Sequence, residues 1–140
     1  DANLKWAEED QDVVACNEKD VLLAWDGANA GEFGYGLKGA VGSTLAKLSP
    51  LNGSTHTPYV GHFLKSKTPY LRSKCTGATI PHVNRRVLED IKIPLPPLPE
   101  QRRIAAILDK AQALVANDKR TLAVYDQLAK SLFLEMLGIR

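Results

Sequence analysis

The three histidines are the side chains of this sequence best suited to metal binding or acid–base chemistry near neutral pH. His56, His62 and His82 lack a spacing that would place them with acidic residues on one face of a helix, so we predict no zinc site. Glu89 and Asp90 are adjacent, so their carboxylates diverge along a helix or strand and do not form a pair. These patterns predict neither a metal centre nor an acid–base active site.

A glycine-rich stretch, Gly34–Gly39, fits the pattern GxGxxG that binds the phosphates of dinucleotides. That function requires a helix starting at the glycines and an acidic residue about 20 positions later. The first acidic residue after this stretch is Glu89, about 50 positions on, and the stretch leads into a predicted strand. We therefore predict no cofactor. A loop that approaches a nucleic-acid backbone and a plain flexible loop remain the two alternatives for this stretch.

The charged residues are segregated along the chain although the net charge is only +2. Against Lys5 and Lys19, the first 32 residues contain the acidic residues Asp1, Glu8, Glu9, Asp10, Asp12, Glu18, Asp20, Asp26 and Glu32. From Phe33 to Leu88 there is no acidic residue, and eight lysines and arginines give this segment a formal charge of +8. Unopposed cations attract polyanions, most commonly a nucleic-acid backbone. The alternative is an acid-poor surface with solvated lysines.

Cys16 and Cys75 are isolated, without CxxC spacing, which predicts two reduced thiols in a cytoplasmic protein. The acidic N-terminus lacks the basic and apolar regions of a signal peptide. No stretch approaches the roughly 18 apolar residues of a membrane span, so we predict no membrane association.

Candidate DNA contacts follow from side-chain chemistry. Lysine and arginine bind phosphates, and arginine also forks onto the O6 and N7 atoms of guanine. Asp26 and Asn29 follow an apolar run and have groups that accept from cytosine or pair with adenine. We predict that DNA contacts are made by Trp25, Asp26, Asn29, Lys38, Lys47, His56, Lys65, Lys67, Lys74, His82, Arg85 and Arg86.

Several of these residues also have a plainer interpretation. Trp25 suits core packing, and His82 suits bracing of its loop through hydrogen bonds. Asn84 suits an N-cap, which would leave Arg85 and Arg86 at a solvated helix end. Each lysine alone fits an ordinary surface position, so the prediction rests on the group.

The apolar pattern predicts short strands in the first half of the chain. Asp20–Trp25 and Ala40–Leu48 are predicted strands, and the glycine-rich Asp26–Gly39 between them is a predicted loop without a regular element. Ser49–Thr55 has turn chemistry. Ile91, Ile93 and Leu95 alternate as a closing strand, which the following prolines terminate.

Three short helices are predicted from their capping residues. Thr57-Pro58 and Thr68-Pro69 each fit an N-cap followed by the first helical position. Asn84 fits the N-cap of a third turn.

The prolines of Pro94–Pro99 predict a fixed corner that aims one rigid element away from another, because each proline fixes φ. A PxxP ligand is the alternative, but Gln101 stands where its flanking cation would be. From Pro99 the period changes to that of a helix, which Gly138 is expected to end. Unbroken, this helix would span roughly 55 Å.

The predicted helix carries an apolar seam with Asp118 as its one polar member. Such a seam must find a partner helix, from another chain or by folding back near Asn117-Asp118. The predicted packing positions are Ile104, Leu108, Ala111, Val115, Leu122, Tyr125, Ala129, Leu132 and Met136.

The stretch from Gly77 to Leu114 resembles the end of a target-recognition domain running into the conserved helix of a type I restriction–modification specificity subunit. It contains Gly-x-Thr-Ile-Pro-His-x-Asn at Gly77–Asn84, Ile-Pro-Leu-Pro-Pro-Leu at Ile93–Leu98 and Glu-Gln-x-x-Ile at Glu100–Ile104. Upstream, LLAWDGANAG resembles the family's strand, its Trp-x-Gly and a glycine loop.

The resemblance implies a subunit without catalytic activity. In that family the specificity subunit has two target-recognition domains, and each reads one half of a split DNA site. Two conserved helices set the spacing between the two domains. Methyltransferase subunits bind the specificity subunit, and motor–nuclease subunits join that complex. The Asn/Asp-Pro-Pro-aromatic motif of the family's adenine methyltransferases is absent here. One such domain and one helix, without the family's opening strands, imply a C-terminal half or fragment.

The predicted fold class is α+β: a small mixed-sheet target-recognition domain at residues 1–97, followed by a long helical, coiled-coil arm at residues 98–140. The predicted partners are double-stranded DNA, methyltransferase subunits, and another specificity half or a second copy through the helix. The alternative function is a helical oligomerisation or adaptor protein that does not bind DNA.

Overall fold

The structure, a computed structural model, describes residues 4–6, by their backbone alone, and residues 14–139. Five acidic residues of the N-terminal segment lie outside the described residues: Asp1, Glu8, Glu9, Asp10 and Asp12. The strands are β1 (Leu4–Trp6), β2 (Ala15–Cys16), β3 (Val21–Ala24), β4 (Phe33–Tyr35), β5 (Gly39–Ala40) and β6 (Leu45–Pro50). The helices are α1 (Thr57–Ser66), α2 (Thr68–Ser73), α3 (Arg85–Glu89) and α4 (Leu98–Met136).

The strands form one sheet in the order β1-β6-β3-β4 and a two-stranded ladder of β2 with β5. Every ladder among the described strands is antiparallel. In the register of the central strand, Leu23 lies opposite Phe33 on one side and Ala46 on the other. The small antiparallel sheets and the long C-terminal helix confirm the predicted α+β class, but the predicted mixed sheet is wrong, because no parallel ladder occurs among the described strands.

The core lies between this sheet and the short helices. Val21 and Leu23 of β3 pack in one cluster with Leu64 of α1 and Leu71 of α2, and each is almost fully buried. Residues two apart on a strand face the same side, which explains why Val21 and Leu23 share this cluster. Burying each of these leucines contributes about 1.5–3 kcal/mol.

Two strand predictions need correction. The stretch Asp26–Gly39, predicted to lack a regular element, contains β4, because the buried Phe33 pairs across from Leu23. The strand predicted at Ala40–Leu48 is interrupted: β5 ends at Ala40, and β6 starts at Leu45 after a turn at residues 43 and 44. The glycines of Asp26–Gly39 led to the prediction of a loop where β4 lies. The turn between β5 and β6 contains no proline, so nothing in the sequence indicated that the second strand is interrupted.

The predicted helices are present, with their starts shifted by one residue for the first two. His56 and Lys67 occupy the N-cap positions of α1 and α2, and neither makes a side-chain capping bond. The threonine hydroxyls bond elsewhere: Thr57 donates to Lys19 O and Thr68 donates to Gly31 O. The two threonines that the sequence predicted as N-caps therefore make hydrogen bonds to distant segments and do not cap their helices.

The closing strand predicted at Ile91–Leu95 is wrong, since these residues pair with no described strand. Their alternation still reports burial: Ile93 is buried, and Ile91 and Leu95 pack against the core from partly buried positions. The hydroxyl of Tyr59 donates to Pro94 O at 2.8 Å, so a side chain supplies a bond that a ladder would otherwise make. Prolines cannot donate to a ladder, which removes the strand option.

The start of α4 is attached through a fully buried glutamine. Gln101 is 0% exposed, and its Oε1 accepts from the backbone N–H of His56 at 2.8 Å. Its Nε2 donates to Ser54 O at 2.9 Å and to Pro96 O at 2.8 Å. A buried amide must satisfy its donors and acceptors, and this one ties a turn, the proline corner and the helix together.

The chain divides into two units, residues 1–105 and residues 106–140. The first therefore includes the first two turns of α4, where Ala105 is buried. The second is helical to Met136, and of the two alternatives for the seam the fold-back near Asn117-Asp118 is wrong, because α4 continues through these residues. Gly138, at φ +69°, ends it as predicted.

The end of α4 forms a Schellman motif: the N–H of Gly138 bonds to Glu135 O and the N–H of Ile139 to Leu134 O.

In the first turn of the same helix, Arg103 donates two hydrogen bonds to Glu100, which lower the pKa of that carboxyl. No helix within residues 14–139 is long and apolar enough to cross a membrane.

Replacing Gln101 with leucine should lower the free energy of unfolding by about 2–3 kcal/mol, because backbone groups that it bonds lose their partner. Gln112→Leu, at an exposed position of the same helix, is the matched control and should change stability by less than about 0.5 kcal/mol. Urea denaturation at fixed protein concentration measures both. Equal stability of the two variants would show that the buried amide does not hold the helix start.

Candidate nucleic-acid interface

Two loops meet at one edge of the first unit: the loop after β3 and the loop before α3. The N–H of Gly27 donates to Pro81 O at 3.0 Å, and the N–H of Val83 donates to Trp25 O at 2.9 Å. Asp26 and Thr76 each form an antiparallel bridge with His82. Residues far apart in sequence are thereby placed side by side.

A side-chain pair joins the same two loops, because Nδ1 of His82 bonds to Oδ1 of Asp26. His82 is exposed and Asp26 is half-buried. Trp25, next in the chain, packs partly buried against the core, whereas Asn29 is exposed. His82 therefore braces its loop, and Asp26 enters any DNA contact with one oxygen already engaged.

The end of the second loop is fixed by Asn84, which caps α3 as predicted. Its side chain accepts from the N–H groups of Arg86 and Val87. Arg85 turns back onto Glu89 with its Nε 2.8 Å from Oε1. Arg86 is exposed, and its guanidinium has no ion-pair partner among the described residues. The two neighbouring arginines thus differ in how freely they can meet a phosphate.

Acidic residues outside the acid-free segment neutralise part of its charge. Besides Glu89 on Arg85, Glu32 accepts from Arg72 at 2.7 Å. Lys74 follows α2, is exposed and has no ion-pair partner in the described part of the chain. The sequence pattern indicated that the cations of this segment are unopposed. The structure shows that Arg72 and Arg85 are paired with acidic residues outside the segment.

A second group of cations lies on α1 and the turn after it, against aromatic rings. Nζ of Lys65 lies 4.7 Å from the centroid of the Tyr35 ring, and Nζ of Lys67 lies 5.2 Å from that of Phe63. The hydroxyl of Tyr35 and Nε2 of His62 are hydrogen-bonded at 3.0 Å. Contact with a ring face orients a lysine while leaving its charge intact.

Tyr35 and His62 were missing from the predicted contacts. Tyr35 packs directly on Gly61, where an added Cβ would lie 2.2 Å from the ring. The glycine within an aromatic-rich helix start was the signal for this close approach. Which ring would occupy the space depends on the pairing of β4 with β3, which the sequence did not reveal.

The remaining predicted contacts lie in other surroundings. Lys38 is exposed between β4 and β5. Nζ of Lys47 donates to Ala15 O at 3.0 Å, so this side chain links β6 to β2. His56 is the N-cap residue just before α1, and its backbone N–H is bonded to Gln101.

The described residues contain no group of three or more histidine, cysteine or acidic side chains that could hold a metal ion. Gly34–Gly39 connects β4 to β5 and does not open a helix, so the dinucleotide pattern lacks its structural context. Cys16 and Cys75 are free thiols.

The predicted packing residues of α4 are exposed over most of its length. Ile104 alone among them packs against the core of the first unit. Leu122 is 63% exposed, and Leu108, Val115, Tyr125, Leu132 and Met136 are exposed as well. Ala111 and Ala129 complete the exposed seam.

Comparison with known proteins gives one consistent family. Residues 2–124 match the family model described as the type I restriction modification DNA specificity domain. The type I restriction enzyme MjaVIII specificity subunit of Methanocaldococcus jannaschii is 41% identical over 119 residues, 85% of this chain and 28% of the relative. The type I restriction enzyme EcoBI specificity subunit of Escherichia coli is 35% identical over 69 residues, 49% of this chain and 15% of the relative.

Solved structures agree with this result. A chain from work on complex assembly and conformational transition of the type I R-M system superposes with a TM-score of 0.72 at 32% identity, covering 89% of this chain and 30% of that one. The HsdS subunit from Thermoanaerobacter tengcongensis gives a TM-score of 0.59 at 33% identity, covering 76% and 25%. This chain spans less than a third of the length of these relatives. The resemblance seen in the sequence is confirmed, and the chain belongs to the type I restriction–modification DNA specificity domain family.

Proposed function

We propose that this chain reads one half of a bipartite DNA site and holds methyltransferase subunits at that site, with no catalytic activity of its own. Residues 1–97 act as the target-recognition domain and residues 98–140 as a helical arm. The observation that carries the proposal is the pairing of the two loops, which brings Trp25 and Asp26 beside His82, just before α3 and its exposed Arg86. The protein is proposed to act in the cytoplasm.

The proposed DNA contacts divide by chemistry. Lys74 and Arg86 are exposed cations without ion-pair partners among the described residues, and they suit phosphates. Lys38, Lys65 and Lys67 add to the same field. Asp26, Asn29 and His82 lie on or beside the paired loops, where hydrogen-bonding groups suit base edges. Arg85 contributes if DNA displaces Glu89 from it.

Binding of duplex DNA should fall steeply with salt, with a log–log slope near −5 if about six cations contact phosphates. Lys74→Ala and Arg86→Ala should each reduce the slope by about 1. Lys130→Ala removes an exposed cation of α4 and should leave the slope unchanged. Fluorescence anisotropy at several salt concentrations measures these slopes, and binding that ignores salt would exclude this interface.

The proline corner is proposed to keep the spacing of the two half-sites uniform. Replacing Pro96-Pro97 with Gly-Gly frees the backbone just before the helix start, so the assembled complex should accept a wider range of spacings. Ala-Ala is the matched control and should widen the range less, because alanine is more restricted than glycine. Selection from a pool with variable spacers gives the distribution. Identical distributions for all three proteins would contradict this role.

The exposed seam of α4 is proposed to pack on a helix of a second copy or of another specificity half. An apolar stripe of this length gains stability by pairing with another apolar helix. The same observation favours the second candidate function, a helical oligomerisation or adaptor protein. The salt dependence of DNA binding separates the two functions, because only the first requires the cationic head.

Leu122→Glu should shift the chain toward monomer and weaken self-association at least tenfold, since it places a charge in the seam. Ser131→Glu adds the same charge at an exposed position of α4 that is not part of the seam, and it should have little effect. Sedimentation equilibrium at several concentrations gives the association constant. A wild-type chain that stays monomeric at every concentration would rule out pairing with a second copy.

A further inference from the structure

The loop before α3 carries an exposed isoleucine at its tip. Ile80 is 53% exposed, although the loop that holds it is closed at its base. The N–H of Thr76 donates to His82 O at 3.0 Å, and the N–H of His82 donates back to Thr76 O at 2.8 Å. The five residues between these two form a closed tip.

Gly77 fixes the shape of this tip. Its φ of +102° is one that other L-residues rarely adopt, and an added Cβ would lie 2.2 Å from Ile80 O. The backbone therefore folds back tightly onto itself directly beneath the isoleucine. No other residue type fits this position without moving the tip.

The tip is also held from outside. The bonds from Gly27 to Pro81 and from Val83 to Trp25, and the pair of Asp26 with His82, attach it to the loop after β3. Val83 is buried in the core. Ile80 is thus exposed on a well-anchored backbone, and its exposure does not arise from a loosely attached loop.

The charge around the tip indicates the kind of surface that would cover it. No acidic residue occurs between Phe33 and Leu88, and Lys74 and Arg86, close to either end of the loop, have no ion-pair partners among the described residues. A polyanion matches these cations better than an apolar protein surface does. DNA grooves also offer apolar groups, namely thymine methyls and base faces exposed at a deformed step.

We propose that Ile80 makes an apolar contact inside a groove of duplex DNA, presented by a preformed loop, while Lys74 and Arg86 bind nearby phosphates. This rests on the proposed function and adds a residue of different chemistry to it. Because the loop is already ordered, binding does not have to order it. The isoleucine therefore contributes its full contact to affinity.

The test compares Ile80→Ala, Ile80→Leu and Arg86→Ala on a labelled duplex recovered from a random pool. Ile80→Ala should weaken binding roughly tenfold with an unchanged salt slope, because an apolar contact releases no counterions. Ile80→Leu should bind within about threefold of wild type, since it keeps the apolar volume. Arg86→Ala should instead reduce the slope by about 1.

Leu51→Ala is the matched control, since Leu51 is 55% exposed in the turn after β6, and its removal should leave affinity unchanged. Thermal unfolding should be the same for all these variants, because the replaced side chains are exposed. If the wild-type chain shows no salt-dependent binding, the proposed function itself fails. If it binds and Ile80→Ala binds equally well, this inference alone is overturned. Weaker association of Ile80→Ala with methyltransferase subunits at unchanged DNA affinity would overturn it too, by assigning the loop to a protein partner.

Discussion

The start of the long helix α4 is held in the first unit by the buried side-chain amide of Gln101. A primary amide removed from water must find donors and acceptors in the protein. Gln101 finds them in the turn before α1 and in the proline corner, so one side chain fixes three segments to each other. Ala105 and Ile104 add apolar contacts one turn later. Apolar packing alone would tolerate sliding, whereas these directional bonds define where the helix begins.

The same principle applies at the paired loops. Gly27, Pro81, Val83 and Trp25 are joined through backbone groups, so these bonds require no particular side chain at Trp25 or Val83. Under the proposed function such an arrangement is favourable, because the side chains that read DNA can then be replaced on a constant backbone frame. Intramolecular pairs at this edge also limit which groups are available: Asp26 and Arg85 have partners within the chain, whereas Arg86 has no ion-pair partner among the described residues.

Local rules predicted the elements that depend on local physics. The apolar run at β3, the cap at Asn84 and the stop at Gly138 were read correctly, since each depends on a few neighbouring residues. The strand predicted at Ile91–Leu95 failed because alternation reports burial and not the presence of a neighbouring strand. For β4 the reverse holds: its glycines hid a strand that exists because β3 lies beside it.

The sequence by itself determined the family, the α+β class, the long helix and the segregation of charge, because motifs, period and composition are properties of neighbouring residues. Only the tertiary structure decided which lysines and arginines form ion pairs with acidic residues. It also decided that His82 bonds to Asp26 and that Lys65 lies over the ring of Tyr35. These contacts join residues separated by tens of positions. Their geometry follows from strand pairing and loop closure, which depend on the free energy of the whole packed unit and not on any one stretch of the chain.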